Sequence, residues 1–573
     1  MTLGSLLQQW YEGRDRRFEY VLLVFVALLL LAGFGMRDPW PSDEPRFVLV
    51  AKQMWESGDW LHPMRGGELY PDKPPMFMWL LALSYGITGS WTLAFLLPSL
   101  VAGAITLFLT YQLTRRLYGV KAARLATLLL ASTLQFGFYS KRAQIDAVLL
   151  AMMTASVYAF ARALLTDSHE RASGRFAHGG WLLLGAFLSG LATVTKGVGA
   201  LTLLMLPCWL YARRSLPIVE RTQLLVLPVL AGFLLGVSVW LAPLLLDLWL
   251  NGNALKEAYV REILLGQTAR RYLNPGHHHK PIWYFAEVMA LSWLPLSLFA
   301  LAAARAAFKK ARFALRHLRL WLSFALVVLL FFTLTKAKRD VYILPMLPIV
   351  TLALAPMLPW LVQHLILNKV LRALTLLIGL VLLAYGVGGM QGAAFAQKLS
   401  VRLSFEPWLL LCVLGPAWML CSLLRRGLWA FAFSVLATWS LLGWYGYPRQ
   451  SDHSSSKALM QSVRAQIGAD TELALIGWKE QHLLMSQGPT TVFGFLRNRA
   501  AQELDAVAWL KAKPGRKVLL QERNLEACFD RERAQPAGSS NRRHFYLVDA
   551  SALLAQCKPH PDDAKRDSKV AEF

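Results

Sequence analysis

Five clusters of polar and charged residues interrupt a chain that is otherwise largely apolar. The first is Pro41-Ser42-Asp43-Glu44-Pro45-Arg46, where adjacent carboxylates could supply a general base, a metal ligand or a solvated turn. The second is Tyr70-Pro71-Asp72-Lys73-Pro74-Pro75. Its prolines predict a rigid helix start at Met76 and leave Lys73 at headgroup level. There it either snorkels to water or grips a lipid phosphate with Asp72 orienting its ammonium. The third is Lys141-Arg142-Ala143-Gln144-Ile145-Asp146, which opens an apolar run. An acid such as Asp146 is costly so close to hydrocarbon, which points to function. The fourth is the loop 251–280 with Arg261, Arg270, Arg271 and His277-His278-His279. Adjacent side chains diverge, so only one or two of these histidines, His278 for example, could join a distant acid such as Asp72 or Glu44 around zinc, and a solvated turn competes with that reading. The fifth, Thr335-Lys336-Ala337-Lys338-Arg339-Asp340-Val341-Tyr342, sets cations beside a tyrosine, a combination suited to an anionic headgroup.

The elements that must position these clusters are membrane helices. Of 573 residues 55% are apolar and 17% charged, and the mean hydropathy is +0.40. Such a chain must put much of its surface against lipid. A formal charge of +25 would suggest nucleic acid for a soluble protein. Here Lys and Arg in short loops orient helices and meet anionic lipids instead, so no nucleic-acid partner is expected. Apolar runs of roughly 20 residues predict about thirteen spans, near 20–36, 93–113, 123–140, 147–165, 181–195, 198–212, 222–246, 282–303, 320–335, 342–362, 371–388, 407–423 and 428–446. The first run follows Arg14, Arg16 and Arg17, is long and lacks a small-residue cleavage site, so it reads as a retained helix rather than a signal peptide.

Alternate loops are strongly basic: Arg115, Arg116, Lys121 and Arg124; Arg213, Arg214 and Arg221; Lys309, Lys310, Arg312, Arg316 and Arg319. The positive-inside rule makes these loops cytoplasmic. Residues 76–89 decide the parity, because at about 14 residues they are short for a span. Read as an interfacial or re-entrant helix within one long outer loop, 37–90, they put all five clusters on the outer face. The polar tail, 448–573, then lies outside as well. Short strands are expected in it at 472–478, 491–495, 517–521 and 544–548, and amphipathic helices at 456–467 and 500–511. The expected fold is therefore an all-α polytopic membrane domain over 1–447 and a small α/β domain over 448–573, with a disordered charged end. Cys208, Cys412 and Cys421 lie within apolar runs, whereas Cys528 and Cys557 could pair in an extracytoplasmic tail.

Outer-face acids ringed by outer-face cations suit transfer chemistry on a lipid-linked phosphate: cations neutralise the leaving phosphate, and an acid positions or deprotonates the acceptor. A lipid-sugar flippase or other transporter is the rival class. It expects paired charges near mid-bilayer and often an internal repeat, and the acids here gather at one interface.

Several stretches occur together and in order: Asp43-Glu44-Pro45-Arg46, Tyr70-x-Asp72-Lys73-Pro74-Pro75, Arg142-x-x-x-Asp146, Gly190-Leu-Ala-Thr-Val-Thr-Lys-Gly197, and Phe331-Phe-Thr-Leu-Thr-Lys-x-Lys338 before Tyr342-Ile-Leu-Pro345. Over residues 37–348 they resemble the polyprenyl-phosphate-dependent glycosyltransferases of the GT-C fold. Within these they resemble the bacterial 4-amino-4-deoxy-L-arabinose lipid A transferases, relatives of the protein O-mannosyltransferases. The resemblance implies thirteen spans, a first periplasmic loop with juxtamembrane helices and a periplasmic C-terminal domain in the bacterial inner membrane. It implies an undecaprenyl-phosphate-linked sugar as donor, lipid A or another envelope glycan as acceptor, inversion at the anomeric carbon and a monomer. Asp43 matches the acceptor-side acid and Asp146 the second pocket acid. Lys73, Arg271 and Tyr342 match the donor-phosphate residues, with Arg270 competing for the arginine role. Glu44, Asp72, Arg142, Lys336 and Lys338 stand as supporting residues. No cofactor is assigned, and a divalent metal at Asp72 or His278 stays open, although Asp72 stands where these transferases often show glutamate. An O-mannosyltransferase, or an enzyme of another envelope glycan, shares these motifs. An oligosaccharyltransferase fits less well, since the tail has no Trp-Trp-Asp element.

Overall fold

The computed structural model describes residues 17–165, 175–212, 218–270, 279–309, 316–403 and 405–557. Among them, five helices are long and apolar enough to cross a membrane: Trp91–Ala131, Ile145–Leu164, Val226–Asn251, Leu365–Met390 and Gly427–Ser454. A bent pair, Tyr284–Ser292 and Leu296–Ala306 at 105°, can make a sixth. The single straight span expected at 282–303 is thus broken, with Pro295 in the bend, where proline removes a helical hydrogen bond. Shorter apolar helices, among them Phe18–Leu31, Gly179–Thr195, Leu318–Leu334 and Trp408–Ser422, pack between the long ones. Within Leu97–Ala131 the helical dihedrals fail at Gly119 (φ 86°), which divides the expected runs 93–113 and 123–140.

Close helix packing fixes one element of the site. A Cβ on Gly190 would stand 2.8 Å from the Gly236 Cα, and one on Gly236 would stand 2.2 Å from the Phe187 carbonyl oxygen. The helices Arg175–Thr195 and Ile218–Asn251 therefore touch backbone to backbone, as small residues allow in lipid. That contact holds the C-terminal end of the first helix, where Lys196 follows.

The loop 37–90, expected on the outer face, is structured. Helix Glu44–Ser57 ends on Gly58 in the left-handed region (φ 73°) and packs on helix Met76–Thr88, with Phe47 edge-on to Phe77 at 5.4 Å. The 13 residues of the latter rise about 20 Å, short of the roughly 30 Å hydrocarbon core. Tyr85 at its C-terminal end stacks on Trp91 at 4.2 Å. Between the two helices lies a hairpin, β1 (Met64–Arg65) and β2 (Glu68–Leu69). Its turn is Gly66-Gly67 with φ 64° and 84°, the positive values that a two-residue hairpin turn demands.

The C-terminal domain is entered without a linker, because the last apolar helix continues to Ser454. Its mixed sheet has the order β4-β3-β5-β7-β6, with β3 Leu473–Leu475, β4 Thr490–Val492, β5 Lys517–Gln521, β6 Gln535–Ser540 and β7 Arg543–Val548. β3 runs parallel to β4 and β5, and β7 antiparallel to β5 and β6. The first two expected strands shrink to three residues each, and β6 was not expected. Its Gln-Pro-Ala-Gly-Ser-Ser sequence carries no apolar alternation, and as an edge strand it needs none. Alternate strand residues face opposite ways. Leu473, Leu475, Leu519 and Leu547 share a core with Leu459 and Val463 of helix Lys457–Ile467. Ala474, Ile476, Val518 and Val548 pack with Ala506 and Leu510 of helix Arg499–Ala512. The first of these cores also takes in Phe47, Met54, Tyr70 and Phe77, so the domain and the outer loop share one apolar interior. Cys528 and Cys557 form a disulfide.

Candidate active site

The two adjacent acids of the first cluster separate. Glu44 is buried (1% exposed), and its carboxylate accepts two bonds from the Arg37 guanidinium at 2.5 and 2.7 Å. The Trp40 N–H at 2.9 Å and the Ala143 N–H at 3.1 Å complete its shell. Burial pushes this carboxyl upward. The Arg37 charge and hydrogen bonds outweigh it and hold the group below its usual range. Arg37 also donates to the Lys141 carbonyl oxygen at 3.0 Å, which ties the first acidic turn to the turn that carries Asp146. Glu44 is a structural anchor whose acceptors are spent.

Asp43 faces the other way. It stands at the N-terminus of helix Glu44–Ser57 without capping it, and its side chain is 18% exposed. Its neighbours are Arg339 Nη2 at 3.4 Å, Gln144 Nε2 at 3.5 Å and Arg46 Nη1 at 3.6 Å. All three contacts are long, so this carboxylate has acceptor capacity left for a ligand.

Asp146 lies in the first turn of helix Ile145–Leu164 and pairs with Lys196 Nζ at 2.7 Å. The Lys196 ammonium also sits 4.8 Å from the centroid of the Tyr342 ring, which is tilted against Phe332 at 5.4 Å. Burial opposes the charge on Arg339, yet Asp43 and then Asp146 hold the guanidinium above its ordinary value, so Arg339 faces both acids. Beside it, Asp340 accepts the Tyr139 hydroxyl at 2.7 Å. Asp43, Asp146 and Tyr342 are thus brought together around Lys196 and Arg339.

Lys73 lies half-buried in the turn ahead of helix Met76–Thr88. Asp72 faces Arg65 and Tyr70 electrostatically, a counter-ion arrangement. Arg142 lies 4.0 Å from Glu44 and over the Phe138 ring at 4.8 Å. Two supporting residues do other work or none. Lys338 is buried, with its ammonium donating to the carbonyl oxygens of Thr335 at 2.6 Å and Lys280 at 3.3 Å, so it clamps backbone, and Lys336 is exposed. Arg270 ends the helical segment Glu262–Arg270, while Arg271 and His278 lie outside the described residues. Among the described residues no three His, Cys, Asp or Glu side chains converge to hold a metal.

The sequence reading left three site residues without a role. Lys196 sits in the quoted Gly190–Gly197 motif, and a lone lysine ending an apolar run is itself a signal of function. Arg339 lies in the fifth cluster, but nothing local separates it from Lys336 and Lys338. Glu480 comes from the C-terminal domain and accepts from Arg46 Nε at 2.9 Å, with no local pattern to mark it.

A family model described as dolichyl-phosphate-mannose-protein mannosyltransferase matches residues 72–242. The chain is 31% identical over 437 residues to the undecaprenyl phosphate-alpha-4-amino-4-deoxy-L-arabinose arabinosyl transferase of Pseudomonas aeruginosa (strain LESB58), a match covering 74% of each chain. With the enzyme of the same name from Yersinia enterocolitica it shares 28% identity over 338 residues, 58% of each chain. The crystal structure of ArnT from Cupriavidus metallidurans bound to undecaprenyl phosphate superposes with a TM-score of 0.72 at 19% identity, covering 95% of this chain and 100% of that one. At that identity the superposition shows a common fold.

Proposed function

We propose, because the chain belongs to the undecaprenyl phosphate-alpha-4-amino-4-deoxy-L-arabinose arabinosyl transferase family, that it moves 4-amino-4-deoxy-L-arabinose from undecaprenyl phosphate to a lipid A phosphate. The reaction takes place at the periplasmic face of the bacterial inner membrane. Thirteen spans over residues 1–447 carry it, and residues 448–573 form a periplasmic domain. The observation that carries this reading is the grouping of two acids, Asp43 and Asp146, with Arg339, Lys196 and Tyr342.

In the reaction the bond between the sugar's anomeric carbon and the undecaprenyl phosphate oxygen breaks, and its electron pair leaves with the phosphate. Lys73, Arg271 and Tyr342 hold that phosphate, and Lys196 adds a cation beside Tyr342 as charge develops on the leaving oxygen. An acceptor phosphate oxygen attacks the opposite face of the anomeric carbon, giving inversion. Such an acceptor is already anionic and needs little base catalysis. Asp43 therefore orients the acceptor and stabilises positive charge on the sugar ring, with Asp146 held behind it by Lys196. The match of residues 72–242 to the mannosyltransferase model favours a second reading, in which the acceptor is a hydroxyl and Asp43 is its general base.

Mass spectrometry of lipid A from cells with and without the gene tests the choice. Loss of a pentosamine from a lipid A phosphate is the expected result, and an unchanged lipid A overturns it in favour of another acceptor. Lys73→Ala should lose donor binding, and unchanged affinity for undecaprenyl phosphate removes the lysine from the phosphate site.

A further inference from the structure

The C-terminal domain meets the pocket through one buried carboxylate. Glu480, 4% exposed, opens the short helix Glu480–Leu484 and accepts from Arg46 Nε at 2.9 Å, with Arg65 Nη1 at 3.8 Å from the same oxygen. The two arginines belong to the two arms of the site. Arg46 lies on helix Glu44–Ser57, one turn from Asp43, and its other nitrogen is 3.6 Å from the Asp43 carboxylate. Arg65 lies on β1, whose hairpin leads through Tyr70 to Asp72 and Lys73. Tyr70 is 1% exposed, with the Arg65 guanidinium 5.2 Å from its ring centroid and the Arg46 charge acting on its hydroxyl, so the arms meet there too.

The domain also grips the hairpin through contacts that do not involve Glu480. Glu68 accepts the Phe495 and Leu496 N–H groups at 3.0 and 3.2 Å, and the Arg65 guanidinium lies 3.8 Å from the Phe495 ring centroid. The Trp478 indole lies so close to Gly66 that a Cβ there would stand 2.4 Å from it. These contacts hold the domain in place without Glu480. What Glu480 adds is compensation between two guanidinium groups that would otherwise repel in a poorly solvated space. It also competes with Asp43 for Arg46. With Glu480 gone, the carboxylate left within 4 Å of Arg46 among the described residues is that of Asp43.

We propose that Glu480 is a positioning residue through which the C-terminal domain completes the pocket, holding the Asp43 arm and the Lys73 arm in register and keeping Arg46 from closing on Asp43. The proposal rests on the transfer reaction above and extends it to a residue outside the membrane domain.

The test uses the full chain in lipid nanodiscs, with aminoarabinosyl undecaprenyl phosphate as donor and lipid A as acceptor. Glu480→Gln should lower kcat about tenfold or more, because misplacing a reacting group by an ångström has effects of that order. The donor KM should rise by a smaller factor, about threefold, since Lys73 is still present on an arm that has loosened. If Glu480 acts through Arg46, adding Glu480→Gln to Arg46→Gln should cost less than about threefold more, whereas independent sites multiply their losses. Multiplying losses, a wild-type kcat, or a loss confined to KM each overturn the proposal. If Glu480→Gln does not melt cooperatively, Glu480→Asp takes its place in the cycle with the same criteria, since it retains the buried charge. Hydrogen exchange of residues 64–73 needs no substrate and should rise in the variant; unchanged exchange overturns the register argument. A wild-type chain that turns over no aminoarabinosyl donor sinks the functional reading alone, and the exchange measurement then decides the role of Glu480.

Discussion

Asp43 and Glu44 are neighbours in the chain and belong to two different regions of the molecule. Glu44 lies in a closed clamp with Arg37 and the turn 141–143, where each carboxylate oxygen is spent on an N–H donor. Asp43 is partly exposed, and its three polar neighbours stand at 3.4–3.6 Å, which leaves its carboxylate acceptor capacity. The comparison teaches that charge type does not separate scaffold from chemistry in this protein. Burial and saturation of acceptors do, and both depend on which way the first residues of one helix point.

Glu44→Gln tests that distinction most severely. It leaves the Arg37 guanidinium buried without its counter-ion, and such losses cost about 3–5 kcal/mol. Thermal unfolding in detergent should show it, and a loss below about 1 kcal/mol would mean that the clamp is not a clamp.

Asp43→Asn should give the opposite pattern. Transfer should fall on the order of 100-fold, the size of a lost transition-state electrostatic contact, while stability changes by no more than about 0.5 kcal/mol. Activity within a few fold of wild type would remove Asp43 from the chemistry.

The rule that a buried group needs a saturated shell extends to His482 in the C-terminal domain. It is 3% exposed, and burial, then Arg543 and Lys479, lower its pKa from 6.5 to about 3. The unfolded chain therefore binds a proton between those values that the folded domain refuses. Stability from this group is fully present above about pH 6.5 and falls as pH drops toward 3, by at most about 1.4 kcal/mol per pH unit. Denaturation of the chain across that range checks the slope, and His482→Gln should flatten it. A slope unchanged by the substitution assigns the acid sensitivity elsewhere.

The smallest expected effect is at Lys336. It shares the fifth cluster with Arg339 and is exposed, so Lys336→Ala should leave both stability and transfer at wild-type values. Arg339→Gln, by contrast, should slow transfer, because that guanidinium faces Asp43 and Asp146. Equal effects at the two positions would count against reading the cluster by burial and partners.

Much of this molecule was legible before any coordinates. Apolar run length and basic loops are local properties, so the membrane helices, the short helix at Met76–Thr88 and the separate tail could be read directly. The proline-flanked turns and the acid opening an apolar run singled out Asp43, Lys73 and Asp146 as candidates for the same reason, and the fold groups Asp43 and Asp146 near Arg339. Where reading failed, the deciding quantity was not local. Strand β6 follows from its place at the sheet edge, whereas Pro295 was a local sign of the bend in the 282–303 run that apolar run length passed over.

By itself, then, the sequence determined a many-helix membrane protein with a small α/β tail, and clusters of acids and cations of the types that suit a lipid-linked phosphate. Only the tertiary structure decided that Glu44 anchors while Asp43 is presented, that Lys338 is spent on carbonyl oxygens while Lys196 and Arg339 are not, and that Glu480 reaches the pocket from 434 residues beyond Arg46. The physical reason is common to all three. Whether a charge anchors or reacts depends on how far it is desolvated and on which partners fold against it, and those partners come from distant parts of the chain.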